Sequence, residues 1–349
     1  MSTLGQHILD LVAKEIVFTD LRIEERKPVM IRTPVGWKPT DYVPEHEDVT
    51  MLLNAMQKDW KARLAADSHV DFSTFLNNIR LRGHVCRVMG GNALCMVIRR
   101  LPDAAPKIEG IGLPIVVETF LRAPSGLILV TGPTSSGKTT TLAALLQRIN
   151  EMRAAHIVTI EDPIEYVFED KQSVFTQREL STDVPTFSSG MEAAMRQCPD
   201  VILIGEIRDQ DTAFAAVRAA ESGRLVLAST HSQTTIGAVY KMLSFYGAEA
   251  QSKAASFAHS LVGIIAQALL PATDGESFVL ASEVLNARDP QMQSYLSQYD
   301  QIKQAGNLLT TGKGTHCIPF NRSLQALVSA RRIDESVAKG FSAMPVQFT

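Results

Sequence analysis

Residues Gly132 to Thr139 read G-P-T-S-S-G-K-T, two glycines five positions apart followed at once by Lys and Thr. This is the spacing of a phosphate-binding loop. Gly132 and Gly137 let the backbone turn so that successive N–H groups point inward, where they and a helix N-terminus hold an anion. Pro133, Thr134, Ser135 and Ser136 form the loop between them, and Thr140 continues the binding set. The Lys138 ammonium would reach the β- and γ-phosphates of a nucleoside triphosphate, and the Thr139 hydroxyl would ligate Mg²⁺.

Three further segments carry groups that suit the same chemistry. Val201 to Ile204 is a short apolar run ending in Gly205 and Glu206. A carboxylate at the C-terminal end of a buried strand lies where α/β sheets place ligands, so Glu206 can polarise water or hold the metal shell. Ile157 to Tyr166, I-V-T-I-E-D-P-I-E-Y, delivers Glu161, Asp162 and Glu165 to the same edge. Carboxylates beside a triphosphate call for a cation between them, which suggests metal or water coordination; a solvated turn closed by Pro163 is the alternative. Leu225 to Ala228 runs into Ser229, Thr230 and His231, and a histidine there either senses the γ-phosphate or serves the structure.

The elements that must position these groups divide the chain. The first hundred residues mix helix-like stretches, Leu4 to Ile16 and Val49 to Ala65, with strand-like ones, Pro28 to Arg32 and Val85 to Met89, as a small α+β domain does. Leu101 to Pro114 is rich in Pro and Gly without a periodic pattern and reads as a hinge. Beyond it, short apolar runs, Leu127 to Val130 and the three above, alternate with helical stretches, the pattern of a parallel sheet buried on both faces. After Thr235 strand signals thin out. Val262 to Leu270 and Leu324 to Val337 have helical spacing, which predicts a mostly helical C-terminal end.

At 349 residues, 45% hydrophobic and 20% charged, the chain suits two globular domains. A net charge of −3 argues against a broadly basic nucleic-acid surface. Met1 to Val17 lacks the pattern of a secretory signal, and the longest strongly apolar stretch, Leu261 to Leu270, is about half a bilayer span. Cys86, Cys95, Cys198 and Cys317 lack zinc-ligand spacing and read as free thiols.

Together the four motifs resemble the secretion ATPase superfamily, and most closely its PilT-like branch of type IV pilus retraction ATPases. In the family's terms Gly132 to Thr139 is Walker A, and T-I-E-D-P-I-E-Y (Thr159 to Tyr166) is the Asp box with Glu165 as its functional acid. P-D-V-I-L-I-G-E-I-R-D (Pro199 to Asp209) is Walker B with Glu206 as the catalytic glutamate, and A-A-E-S-G-R-L-V-L-A-S-T-H (Ala219 to His231) is the His box. The resemblance implies a RecA-like P-loop core at 115–349 ending in helices, joined by a linker at 104–114 to a PAS-like α+β domain at 1–103. F-T-D-L-R-I (Phe18 to Ile23) would open that domain. It further implies Arg87 and Arg99 reaching a neighbouring subunit's nucleotide, ATP with Mg²⁺ held by Thr139, Glu165 and Glu206, and a homo-hexamer. The expected setting is the cytoplasmic side of the inner membrane, at a pilus or secretion platform protein, with no nucleic acid. Pilus retraction is the implied output; assembly or secretion is the nearer alternative, and a nucleic-acid translocase or a non-hydrolysing scaffold the more distant ones. The chain departs from the family at Arg224, where relatives commonly carry histidine. It also lacks the A-I-R motif in Asn286 to Tyr299, and the tetracysteine element of assembly-type members.

Overall fold

A computed structural model describes residues 3–13, 20–33, 36–77, 79–102, 104–275, 277–311 and 316–341. Lys14 to Thr19, which include the start of the F-T-D-L-R-I segment, lie outside the described residues. The chain divides into two compact units, Met1–Asp103 and Ala104–Thr349.

The first unit contains α1 (Thr3–Ala13), β1 (Asp20–Glu24), β2 (Met30–Thr33), β3 (Gly36–Pro39), α2 (His46–Met56), α3 (Trp60–Asp67), β4 (His69–Leu76), β5 (Ile79–Val88) and β6 (Ala93–Arg100). Its strands form one antiparallel sheet in the order β3-β2-β1-β6-β5-β4. Side chains alternate across a strand. Leu21 and Ile23, Leu81 and Val85, and Leu94, Met96 and Ile98 therefore face one core with Leu4, Ile8, Leu52, Leu53 and Trp60 of the helices. The predicted helix over Val49 to Ala65 is two helices, because Gln57 adopts an extended backbone that ends α2.

The second unit runs α4 (Val116–Phe120), β7 (Gly126–Thr131), α5 (Lys138–Met152), β8 (His156–Glu161), β9 (Val174–Glu179), α6 (Phe187–Met195), β10 (Val201–Ile204), α7 (Gln210–Glu221), β11 (Leu225–Thr230), α8 (Thr235–Ser244) and α9 (Ala250–Ser260). It continues with β12 (Leu261–Pro271), β13 (Phe278–Asn286), α10 (Pro290–Leu296), α11 (Ile302–Thr311), α12 (Phe320–Ser329) and α13 (Glu335–Phe341). The sheet order is β13-β12-β7-β11-β10-β8-β9, parallel throughout except for β13. Helices α4 and α5 cover one face, and α6 to α11 the other. All four apolar runs expected to be central strands, β7, β8, β10 and β11, are so; every residue of β7, β10 and β11 is buried.

One expectation is corrected, and one strand was not foreseen. Val262 to Leu270 is strand, not helix: it lies within β12, wedged between β7 and β13 and buried on both faces. An apolar run flanked on both sides by strands carries no periodicity that separates helix from strand. Strand β9, a half-buried edge of mixed polarity, had no sequence signal strong enough to predict it. Within the Pro- and Gly-rich stretch after Leu101, Ile108 is buried in the core beneath α5.

Candidate nucleotide site

The parallel strands end together, and the motifs occupy that edge. After β7 the chain turns through Pro133, Thr134 and Ser135, all exposed, and Ser136, which is buried. Ser135 and Gly137 have φ of 64° and 85°, the left-handed geometry that turns successive amides toward one side. A Cβ on Gly132 would meet the Ser136 Oγ and the Gln267 carbonyl oxygen at 2.5 Å, so only glycine fits there. Gly137 is the N-cap of the 15-residue helix α5 and no side chain caps it, leaving the positive end of the helix to an anion. The Ser136 Oγ is buried without a hydrogen-bond partner. An uncapped helix start, two left-handed residues and an orphaned hydroxyl are what a phosphate group would satisfy.

The Lys138 ammonium donates to the carbonyl oxygens of Gly132 and Pro133, each at 2.9 Å, which folds it over the loop. Burial lowers its pKa, and the charge of Glu206 works against that. The phosphate loop and the carboxylate after β10 therefore share one electrostatic environment.

Glu206 is the hub of the opposite wall. Its Oε1 lies 2.7 Å from the His231 Nε2 and its Oε2 2.9 Å from the Arg208 Nη2, while the Arg208 Nη1 reaches Asp162 at 3.4 Å. Burial alone would raise the Glu206 pKa. The Arg208 hydrogen bond and charge, with His231, outweigh it and hold the carboxyl below its ordinary range. The strand ends are laced together around this hub: Gly205 N–H donates to the Ile160 carbonyl, Ile207 N–H to the Ser229 carbonyl, and the Ser229 hydroxyl to the Gly205 carbonyl. The Thr131 hydroxyl donates to the Ser232 carbonyl, tying the end of β7 to the segment after His231.

The three acids at the end of β8 and just beyond it separate in the structure. Glu161 is buried and accepts from the Thr159 hydroxyl and the Gln177 amide, which makes it part of the frame. Asp162 pairs with Arg208. Glu165 is half-buried and precedes Tyr166, whose hydroxyl donates to the Thr140 Oγ1 in the first turn of α5. Lys138, Glu206 and His231 are thus brought together, with Thr139 at the start of α5 and Glu165 on the segment docked to it. Among the described residues no group of three or more acidic, histidine or cysteine side chains forms a metal site.

Arg87 and Arg99 belong to the first unit and diverge there. Arg87 pairs with Leu94 and Arg99 with Arg82, so they lie five rungs apart on the β5–β6 ladder and on opposite faces of it. The Arg99 Nε donates to Asp20 at 2.8 Å. Arg224 precedes β11 and its carbonyl accepts from Gly126 at the start of β7. It therefore stands at the edge of the sheet away from the phosphate loop, where it shares a cavity of about 450 Å³ with Arg153, Cys198 and Asp200.

Gln267, Tyr166 and Arg208 were not singled out by sequence reasoning. A lone Gln in a ten-residue apolar run was the available signal, since a buried amide needs a partner. Its Nε2 donates to the Ser136 carbonyl at 2.6 Å.

Comparison with known proteins agrees with this arrangement. The family described as type II/IV secretion system protein matches residues 48–315. The chain belongs to that family. It is 35% identical over 295 residues to a twitching motility protein of Neisseria gonorrhoeae, covering 84% of this chain and 78% of the relative. It is 31% identical over 334 residues to the type IV pilus retraction ATPase PilT of Pseudomonas aeruginosa, covering 95% and 96%. The crystal structure of the pilus retraction motor PilT with bound ADP superposes with a TM-score of 0.89 at 31% identity, over 99% of this chain and 98% of that one. Family membership and that likeness establish the RecA-like core with an N-terminal domain and C-terminal helices.

Proposed function

We propose that this protein is an ATP-hydrolysing motor of type IV pilus retraction. The observation that carries the reading is the Glu206 carboxylate, held ionised by Arg208 and His231 and electrostatically coupled to Lys138 of the phosphate loop. The γ-phosphate would lie against Lys138 and the amides at the start of α5. Glu206 would accept the proton of the attacking water as its oxygen bonds to the γ-phosphorus and the bond from that phosphorus to the ADP oxygen breaks, and His231, hydrogen-bonded to Glu206, would register the loss of the γ-phosphate. The Thr139 hydroxyl, with support from Glu165 and Glu206, would hold Mg²⁺, which would supply charge neutralisation on the phosphates.

The output is drawn from the relatives, which are named for twitching motility and pilus retraction. A homo-hexamer at an inner-membrane platform protein, with Arg87 and Arg99 completing a neighbour's site, extends the same reading. Among the described residues no helix is long and apolar enough to cross a membrane, so the platform would supply the attachment.

Purified protein should hydrolyse ATP with Mg²⁺. The Glu206→Gln variant should bind ATP normally yet turn over at least about 100-fold more slowly, the scale of a lost general base. Equal turnover in the variant would remove Glu206 from the chemistry. A deletion strain should be hyperpiliated; bald cells would indicate assembly, and normal pili with lost export would indicate secretion.

A further inference from the structure

Gln267 of strand β12 holds the phosphate loop at two points. Its backbone carbonyl packs so closely on Gly132 that a Cβ there would approach to 2.5 Å, and its side-chain amide donates to the Ser136 carbonyl at 2.6 Å. Gln267 is 2% exposed, and its Oε1 is buried without a hydrogen-bond partner. A Met or Leu of similar size would fill the space without that desolvation cost, so packing does not account for an amide at this position. The contact with Ser136 does.

The carbonyl of Ser136 and the N–H of Gly137 belong to one planar trans peptide and point in opposite directions. Fixing the carbonyl toward β12 turns the Gly137 N–H away from the strand. Gly137 is the uncapped N-cap of α5, and its left-handed backbone allows this peptide other orientations unless something holds it. We propose that Gln267 is a positioning residue for nucleotide binding: it locks the Ser136–Gly137 peptide so that the Gly137 N–H is set in advance to donate to a phosphate oxygen. The inference rests on the nucleotide reading of the site and goes beyond it by assigning the orientation of one amide to a side chain 130 residues further along the chain.

The test compares wild type, Gln267→Met and Gln267→Glu. Methionine keeps the volume and loses the donor; glutamate keeps the shape and sets an acceptor against the Ser136 carbonyl. ADP affinity is measured by titration, kcat and KM for ATP at steady state, and the thermal midpoint without nucleotide. The expected result for Gln267→Met is a rise of about tenfold in the ADP Kd and the ATP KM, the scale of one lost hydrogen bond to a charged group. Its kcat stays within about threefold, the amide being needed for ground and transition state alike. Gln267→Glu binds more weakly still. The midpoint of Gln267→Met is unchanged or higher. Unchanged ADP affinity in both variants overturns the inference, as does a loss confined to kcat. Loss of folding in Gln267→Met also overturns it, by assigning the side chain to the core. Wild-type protein that binds no ADP would instead sink the nucleotide reading itself.

Discussion

At the scale of single residues, Glu206 shows how environment selects a charge state. Burial favours the neutral acid, and the opposing hydrogen bond and charge of Arg208, with His231, win. A carboxyl whose folded pKa is depressed contributes stability that is present above its ordinary value of 4.5 and lost as pH falls through the folded value. The same depression keeps the proposed base ionised to lower pH than an ordinary carboxyl. Removing Arg208 leaves burial less opposed, so the acid limb of kcat/KM in Arg208→Ala should move to higher pH than in wild type. A pH–rate profile of both proteins checks this, and coincident limbs would exclude Arg208 from control of Glu206. The placement of Glu206 and Lys138 at one strand-end edge was legible from residue type and position. The division of labour among Glu161, Asp162 and Glu165 was not, because three neighbouring acids look alike until burial and partners distinguish them.

At the scale of elements, the site depends on how neighbouring segments are tied to α5. Asn150, fully buried near its end, donates to the Glu169 carbonyl and accepts from the amides of Lys171 and Ser173. This one side chain anchors the turn that delivers β9 to the sheet. Asn150→Ala should lower unfolding stability by about 2–4 kcal/mol, the sum of several buried hydrogen bonds left unmade, read by urea denaturation. The phosphate loop makes a sharper case. Gly132→Ala would drive a Cβ into the Gln267 carbonyl and the Ser136 hydroxyl, so nucleotide binding should be lost outright while the rest of the unit stays folded, seen as retained circular dichroism without ADP binding. The loop was readable from its glycines. The strand that braces it was mistaken for helix, because buried apolar residues satisfy either geometry.

At the scale of the whole molecule, two compact units divide the work, and the arginines proposed to act between subunits lie in the first while the phosphate loop lies in the second. If Arg87 serves a neighbour's site, Arg87→Ala and Glu206→Gln proteins should each be nearly inactive, and mixing them should restore a measurable fraction of turnover at interfaces that draw one intact part from each. No recovery on mixing would place Arg87 within its own subunit's chemistry or outside it altogether. The sequence alone determined the phosphate loop, the α/β core and the four central strands, because glycine spacing and short apolar runs between turns are local properties. It also carried the family, since the motifs follow one another in order. Only the tertiary structure decided which acids meet, since Glu206, Arg208, His231 and Asp162 converge from three strand ends. It moved Arg224 to the far edge of the sheet, set Arg87 and Arg99 on opposite faces, and brought Gln267 against Ser136. The Gln267 contact spans 131 residues, and the others depend on register and strand order, which no local pattern encodes.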